Sequence, residues 1–124
     1  MKLTDKDAIK ALEKVRIYEL SEMVSDYPEN EREGRSDWDM IANEAGWLLD
    51  SYDSNDTCRH EDLMEARGIL RETNNGKFIP LRDNLKPKYR EYDIQNARDR
   101  INEYNRLVRF VARLKKMGLY CPYC

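Results

Sequence analysis

The sequence predicts an all-α fold, a compact bundle of about four helices. Apolar residues recur at helical spacing through most of the 124 positions. Capping residues stand ahead of the periodic stretches. Pro80 and Pro87 fall in one segment, 77–91, which is expected to be irregular or hairpin-like. A chain of this length fits one domain, and 1–124 is read as a single helical domain. A domain this size buries roughly two-thirds of the surface that its extended chain exposes.

The elements follow in order. Thr4 with Asp7 forms a capping signature, and Ile9, Leu12, Leu20, Met23 and Val24 recur behind it, with Val15 and Ile17 widening the stripe. No glycine or proline intervenes before Pro28, so one helix is predicted over 5–26. Residues 28–36 read as a polar loop. Ser36 with Asp39 repeats the capping signature, and Ile41, Ala45, Leu48 and Tyr52 share one face of a helix predicted over 37–51. Gly46 marks a close helix–helix approach there. Residues 53–60 are turn-forming. A short helix over 61–73 turns Leu63, Ala66 and Leu70 inward and ends at Asn74-Asn75-Gly76. Phe78, Ile79 and Leu81 read as a short extended segment, kept to an edge by proline. Asp93 caps the last helix, 93–117, whose stripe is Ile94, Ala97, Ile101, Tyr104, Val108, Val111 and Leu114. Lys115 and Lys116 suit its C-terminal dipole, and Gly118 stops it.

Composition narrows the function classes. Apolar residues make up 40% and charged residues 37% of the chain. The apolar residues come in periodic blocks, which argues against disorder. No run approaches the ~20 apolar residues of a membrane span, and the start lacks a signal-peptide core. Three cysteines do not make a disulfide framework. The expected location is the cytoplasm.

Enzyme signals are sparse. There is one histidine, His60, with no glycine-rich phosphate loop and no nucleophile elbow. The expectation is a non-enzyme that requires no cofactor. Cys121-Pro122-Tyr123-Cys124 matches the glutaredoxin motif in letters, but that motif opens a helix, and no helix is expected to follow Cys124. Zinc fits the same residues better. Cys58, His60, Cys121 and Cys124 supply one Cys3His set for a tetrahedral site. The alternative is a loose C-terminal tail with free thiols.

Charge divides unevenly. Residues 1–60 hold 15 acids and 8 bases, and residues 61–124 hold 9 acids and 14 bases. The acidic excess gathers in 19–56, with Glu19, Glu22, Asp26, Glu29, Glu31, Glu33, Asp37, Asp39 and Glu44 as the candidate partner-binding residues. Such a patch steers association with a basic cleft. Tyr18, Tyr27, Trp38, Trp47 and Tyr52 are interleaved with it, as interface anchors or as core. On the last helix Arg98, Arg106, Arg109, Arg113 and Lys116 make a basic stripe flanked by Asn102 and Asn105. It fits phosphate groups or a solvated face.

From Ala66 onward the chain resembles small uncharacterised proteins of phages and mobile elements of Gram-positive bacteria. The resemblance rests on RETNNGKFIPL (71–81) and INEYNRL (101–107). It implies an accessory role in the contest between phage and host, as in anti-CRISPR proteins that resemble DNA in charge. The leading expectation is an inhibitor of that kind. Its acidic region would sit stoichiometrically against the basic cleft of a host nucleic-acid-binding effector, such as a CRISPR nuclease. The second is a phosphate-ligand binder acting through the basic stripe, either a cyclic-nucleotide sponge or a small nucleic-acid-binding regulator. A virion accessory is a third class. The target, and whether copies associate, are not legible in the residues.

Overall fold

The computed structural model describes residues 5–26, 36–72, 77–80, 91–119 and 121. Their elements are α1 (Lys6–Val15), α2 (Tyr18–Ser25), α3 (Asp37–Asp53), α4 (Cys58–Ile69), β1 (Leu70–Glu72), β2 (Phe78–Pro80) and α5 (Glu91–Lys116). The fold is all-α, with one short strand pair as its exception. The chain divides into two compact units, one of 1–51 with 105–124 and one of 52–104, and the boundaries fall inside α3 and α5.

In the first unit, the single helix expected over 5–26 is two helices. Asp5 rather than Thr4 caps α1, its carboxylate accepting from the backbone N–H groups of Asp7 at 2.9 Å and Ala8 at 3.3 Å. α1 buries Ala8, Ala11 and Leu12 and ends at Arg16, which adopts the left-handed conformation at φ 56° and ψ 47°. Ile17 follows in extended conformation and is fully buried, and α2 then buries Leu20 and Val24. The break has a geometric cause. At about 100° per residue, the buried positions of α1 centre roughly 160° from Ile17, Leu20 and Val24 on one continuous helix. A straight helix would bury one set and expose the other. The left-handed turn at Arg16 brings both inward.

α3 starts as expected. The Ser36 hydroxyl accepts from the Asp39 N–H at 3.1 Å, and the Asp39 carboxylate accepts from the Ser36 N–H at 3.4 Å. Met40, Ile41, Ala42, Ala45 and Leu48 are buried behind this cap. In the same unit α5 buries Leu107, Phe110, Val111 and Leu114, while Val108 is 40% exposed. Leu107 and Phe110 thus take the inward place expected of Val108. The helix closes in a Schellman arrangement. Gly118 has φ 81°, its N–H donates to the Lys115 carbonyl at 2.9 Å, and Leu119 donates to Leu114 at 3.2 Å.

In the second unit α4 begins three residues earlier than expected. The Thr57 hydroxyl accepts from the His60 N–H at 3.1 Å, so the presumed turn already contains a helix cap. Leu63, Ala66 and Ile69 are buried. The expected helix does not run to 73. Leu70 leaves α4 at φ −125° and ψ 150°, and β1 pairs antiparallel with β2 in the register Leu70 with Pro80, Arg71 with Ile79 and Glu72 with Phe78. The hairpin foreseen near 77–91 therefore takes its first strand from residues assigned to a helix. Asn74-Asn75-Gly76 and residues 81–90 lie outside the described residues. α5 begins at Glu91, so Asp93 sits in its first turn rather than at its cap.

Candidate phosphate-binding surface

The basic residues converge on the first unit. Lys14 and Val15 at the end of α1 line one open depression of about 220 Å³ with Arg106, Arg109, Phe110 and Arg113 of α5. Arg109 and Arg113 are exposed, and Phe110 is 4% exposed. Spacings of three and four residues place the three arginines along one side of α5 over about 10 Å. A second depression, lined by Lys10, Glu13, Lys14 and Arg16, shares Lys14 with the first.

Arg106 anchors this surface. Its Nη2 donates to the Arg16 carbonyl at 3.0 Å, meeting an acceptor left over where α1 ends. Its Nε is shut away from solvent and has no hydrogen-bond partner among the described residues. A buried donor left unmet costs about 1–3 kcal/mol. Among the described residues, Lys14, Arg106, Arg109 and Arg113 form no ion pair. An anion entering the depression meets cations that no carboxylate among the described residues has already neutralised.

Of the expected stripe, Arg106, Arg109 and Arg113 line the depression. Lys116 is exposed further along α5, and Arg98 belongs to the second unit. Lys14 was missed from the sequence. It sits about ninety residues before the stripe, and no local pattern connects the two.

The acidic candidates divide differently. Glu22 and Asp26 are exposed on and just after α2, and Glu19 is half-buried. Glu29, Glu31 and Glu33 lie outside the described residues. Asp37 does not meet the expectation of a solvated acid. It is 3% exposed, and its Oδ2 accepts from the Asp5 N–H at 2.6 Å. Asp39 is engaged in the α3 cap, and Glu44 accepts from Asn43 Nδ2 at 3.2 Å. The aromatics divide too: Tyr52 is 3% exposed, Trp38 is half-buried, Tyr18 is 70% and Trp47 45% exposed, and Tyr27 is outside the described residues.

The second unit holds a polar network. Tyr104 donates its hydroxyl to Asp53 Oδ1 at 2.8 Å, its ring lies 5.5 Å from that of Tyr52, and the Arg67 guanidinium sits 5.2 Å from the ring centre. Burial first, then the Asp53 carboxylate, pushes the Tyr104 phenol above its usual range. His60 Nδ1 lies 2.8 Å from the Tyr52 carbonyl oxygen.

Of the proposed zinc ligands, Cys58 is exposed at the start of α4, His60 is half-buried, and Cys121 is buried in the other unit. Cys124 lies outside the described residues. Among the described residues no three or more His, Cys, Asp or Glu side chains gather to hold a metal ion. Among them, too, no helix is long and apolar enough to cross a membrane. Comparison with known protein families, with characterised proteins and with solved structures finds no match for this chain.

Proposed function

We propose that this protein binds phosphate groups of a ligand through Lys14, Arg106, Arg109 and Arg113. One observation carries the reading: a lysine from α1 and three arginines from α5 line a single depression with no ion-paired carboxylate among the described residues. Guanidinium groups suit the work, because their planar fork matches phosphate oxygens in pairs. The role is binding, with no reaction assigned. A regulator or sponge carried by a phage or mobile element fits this chemistry. The test is a binding screen with labelled nucleotides and oligonucleotides against wild type, Arg109→Glu and Arg113→Glu. Both arginines are exposed, so the variants keep the fold, and binding should fall at least tenfold in each.

A second reading retains the inhibitor of a host defence effector. It is favoured by Tyr18, 70% exposed, on the short helix that carries the exposed Glu22 and leads to the exposed Asp26. An aromatic ring among solvated acids is the composition of an interface anchor. Under this reading Glu22→Lys and Asp26→Lys abolish co-purification with the target, and Arg113→Glu leaves it intact. A protein that binds no phosphate probe and loses its partner on those acidic changes reverses the order of the two readings.

A further inference from the structure

We infer that the ligand is an extended chain of phosphates, a nucleic-acid backbone held without reading its bases. This rests on the phosphate-binding reading and adds the ligand class. Three features point to it. The first is size and shape. The depression of about 220 Å³ and the one of about 520 Å³ beside it are both open to solvent rather than enclosing. A ligand crosses this surface rather than entering it. The second is continuity. Lys14 lines both depressions, so a surface that is cationic apart from Glu13 runs from Arg113 and Arg109 on α5 to Lys14 and on to Lys10 of α1 and Arg16 at its end. A mononucleotide covers part of such a track, and a chain covers all of it. The third is what the surface lacks. Its aromatic residue, Phe110, is 4% exposed and belongs to the core, so among the described residues no ring in the lining is available for a base to stack on. Recognition is left to the phosphates, and the cost of gathering unpaired cations is offset when counterions give way to the chain.

Arg106 is held in place at this surface. Its Nη2 is already tethered to the Arg16 carbonyl, so the guanidinium is oriented before a ligand arrives. Little of its freedom remains to be lost on binding.

The experiment is fluorescence anisotropy of the full chain with labelled single-stranded 20-mers of oligo-dT, oligo-dA and mixed sequence. Cyclic di-AMP, ATP and inorganic polyphosphate serve as separate probes, and all are measured from 50 to 200 mM salt. The three 20-mers should bind alike. With about four phosphate contacts the logarithmic salt slope should be about −3, a roughly fifty-fold loss over that range. Lys14→Glu and Arg113→Glu, checked for retained helicity by circular dichroism, should each weaken binding at least tenfold and flatten the slope. Cyclic di-AMP or ATP binding more tightly than the 20-mers overturns the chain inference and leaves the phosphate reading standing. Strong preference for one base composition, or polyphosphate bound in place of DNA, also overturns it. Silence from every probe removes both readings.

Discussion

Asp37 and Glu22 show how two acids close in sequence do different work. Asp37 is buried and accepts from the Asp5 N–H, so it joins the start of α3 to the cap of α1 within one unit. Glu22 is exposed. Asp37→Lys should therefore lower unfolding stability by about 3 kcal/mol or more, since it strands a buried donor and buries an unpaired charge. Glu22→Lys should change it by less than about 0.5 kcal/mol. Urea unfolding of both variants measures the contrast. Tyr104 carries a pH dependence. Its phenol ionises above the usual range because burial and the Asp53 carboxylate both disfavour the phenolate. Its contribution is thus fully present below the unfolded value near pH 10 and is lost as pH rises through the folded value. Tyr104→Phe should cost about 0.5–1 kcal/mol at neutral pH. It should also remove from an alkaline absorbance titration one tyrosine that ionises above the usual range.

At the scale of elements, the two ends of helices with positive φ behave differently under substitution. Arg16 pays for its left-handed backbone with a Cβ that crowds the following carbonyl, and Gly118 has none. Arg16→Gly should stabilise the protein by about 0.5–1 kcal/mol, whereas Gly118→Ala should destabilise it by about 1 kcal/mol. Thermal unfolding distinguishes the signs. The break itself depends on Ile17, fully buried between α1 and α2, and Ile17→Ala should cost about 2–5 kcal/mol. Most of the secondary structure was legible at this scale. Ser36 with Asp39 and Gly118 with its two lysines announced their helix ends. The α1–α2 break was not, because Ala8 and Ala11 carry the buried face of α1 and alanine is a weak apolar signal. The switch from α4 to β1 was not either, since residues 70–72 continue a helical pattern locally and their strand partner lies at 78–80.

For the whole molecule, the uneven distribution of charge matters more than the net value of −2. Exposed charges are screened beyond about 8 Å at physiological salt, so under the proposed reading a ligand at Lys14 and Arg113 would respond to the local cations more than to distant acids. A ligand that binds only the folded chain raises its stability by mass action, about 2.7 kcal/mol at a hundred times Kd. A saturating oligonucleotide should raise the melting temperature of wild type, and that rise should shrink or vanish in Lys14→Glu. Equal shifts in both proteins would move the binding site away from this surface.

By itself the sequence determined the helical class, the α3 and α5 helices to within two residues, and the basic stripe at 106, 109 and 113. Each is a local property, set by periodicity and caps within a few turns. Tertiary structure alone decided that Lys14 joins that stripe, that Asp37 is structural rather than solvated, and that the first helix bends at Arg16. Each of these depends on which residues distant in the chain share one core or one surface, and helical spacing carries no information about that.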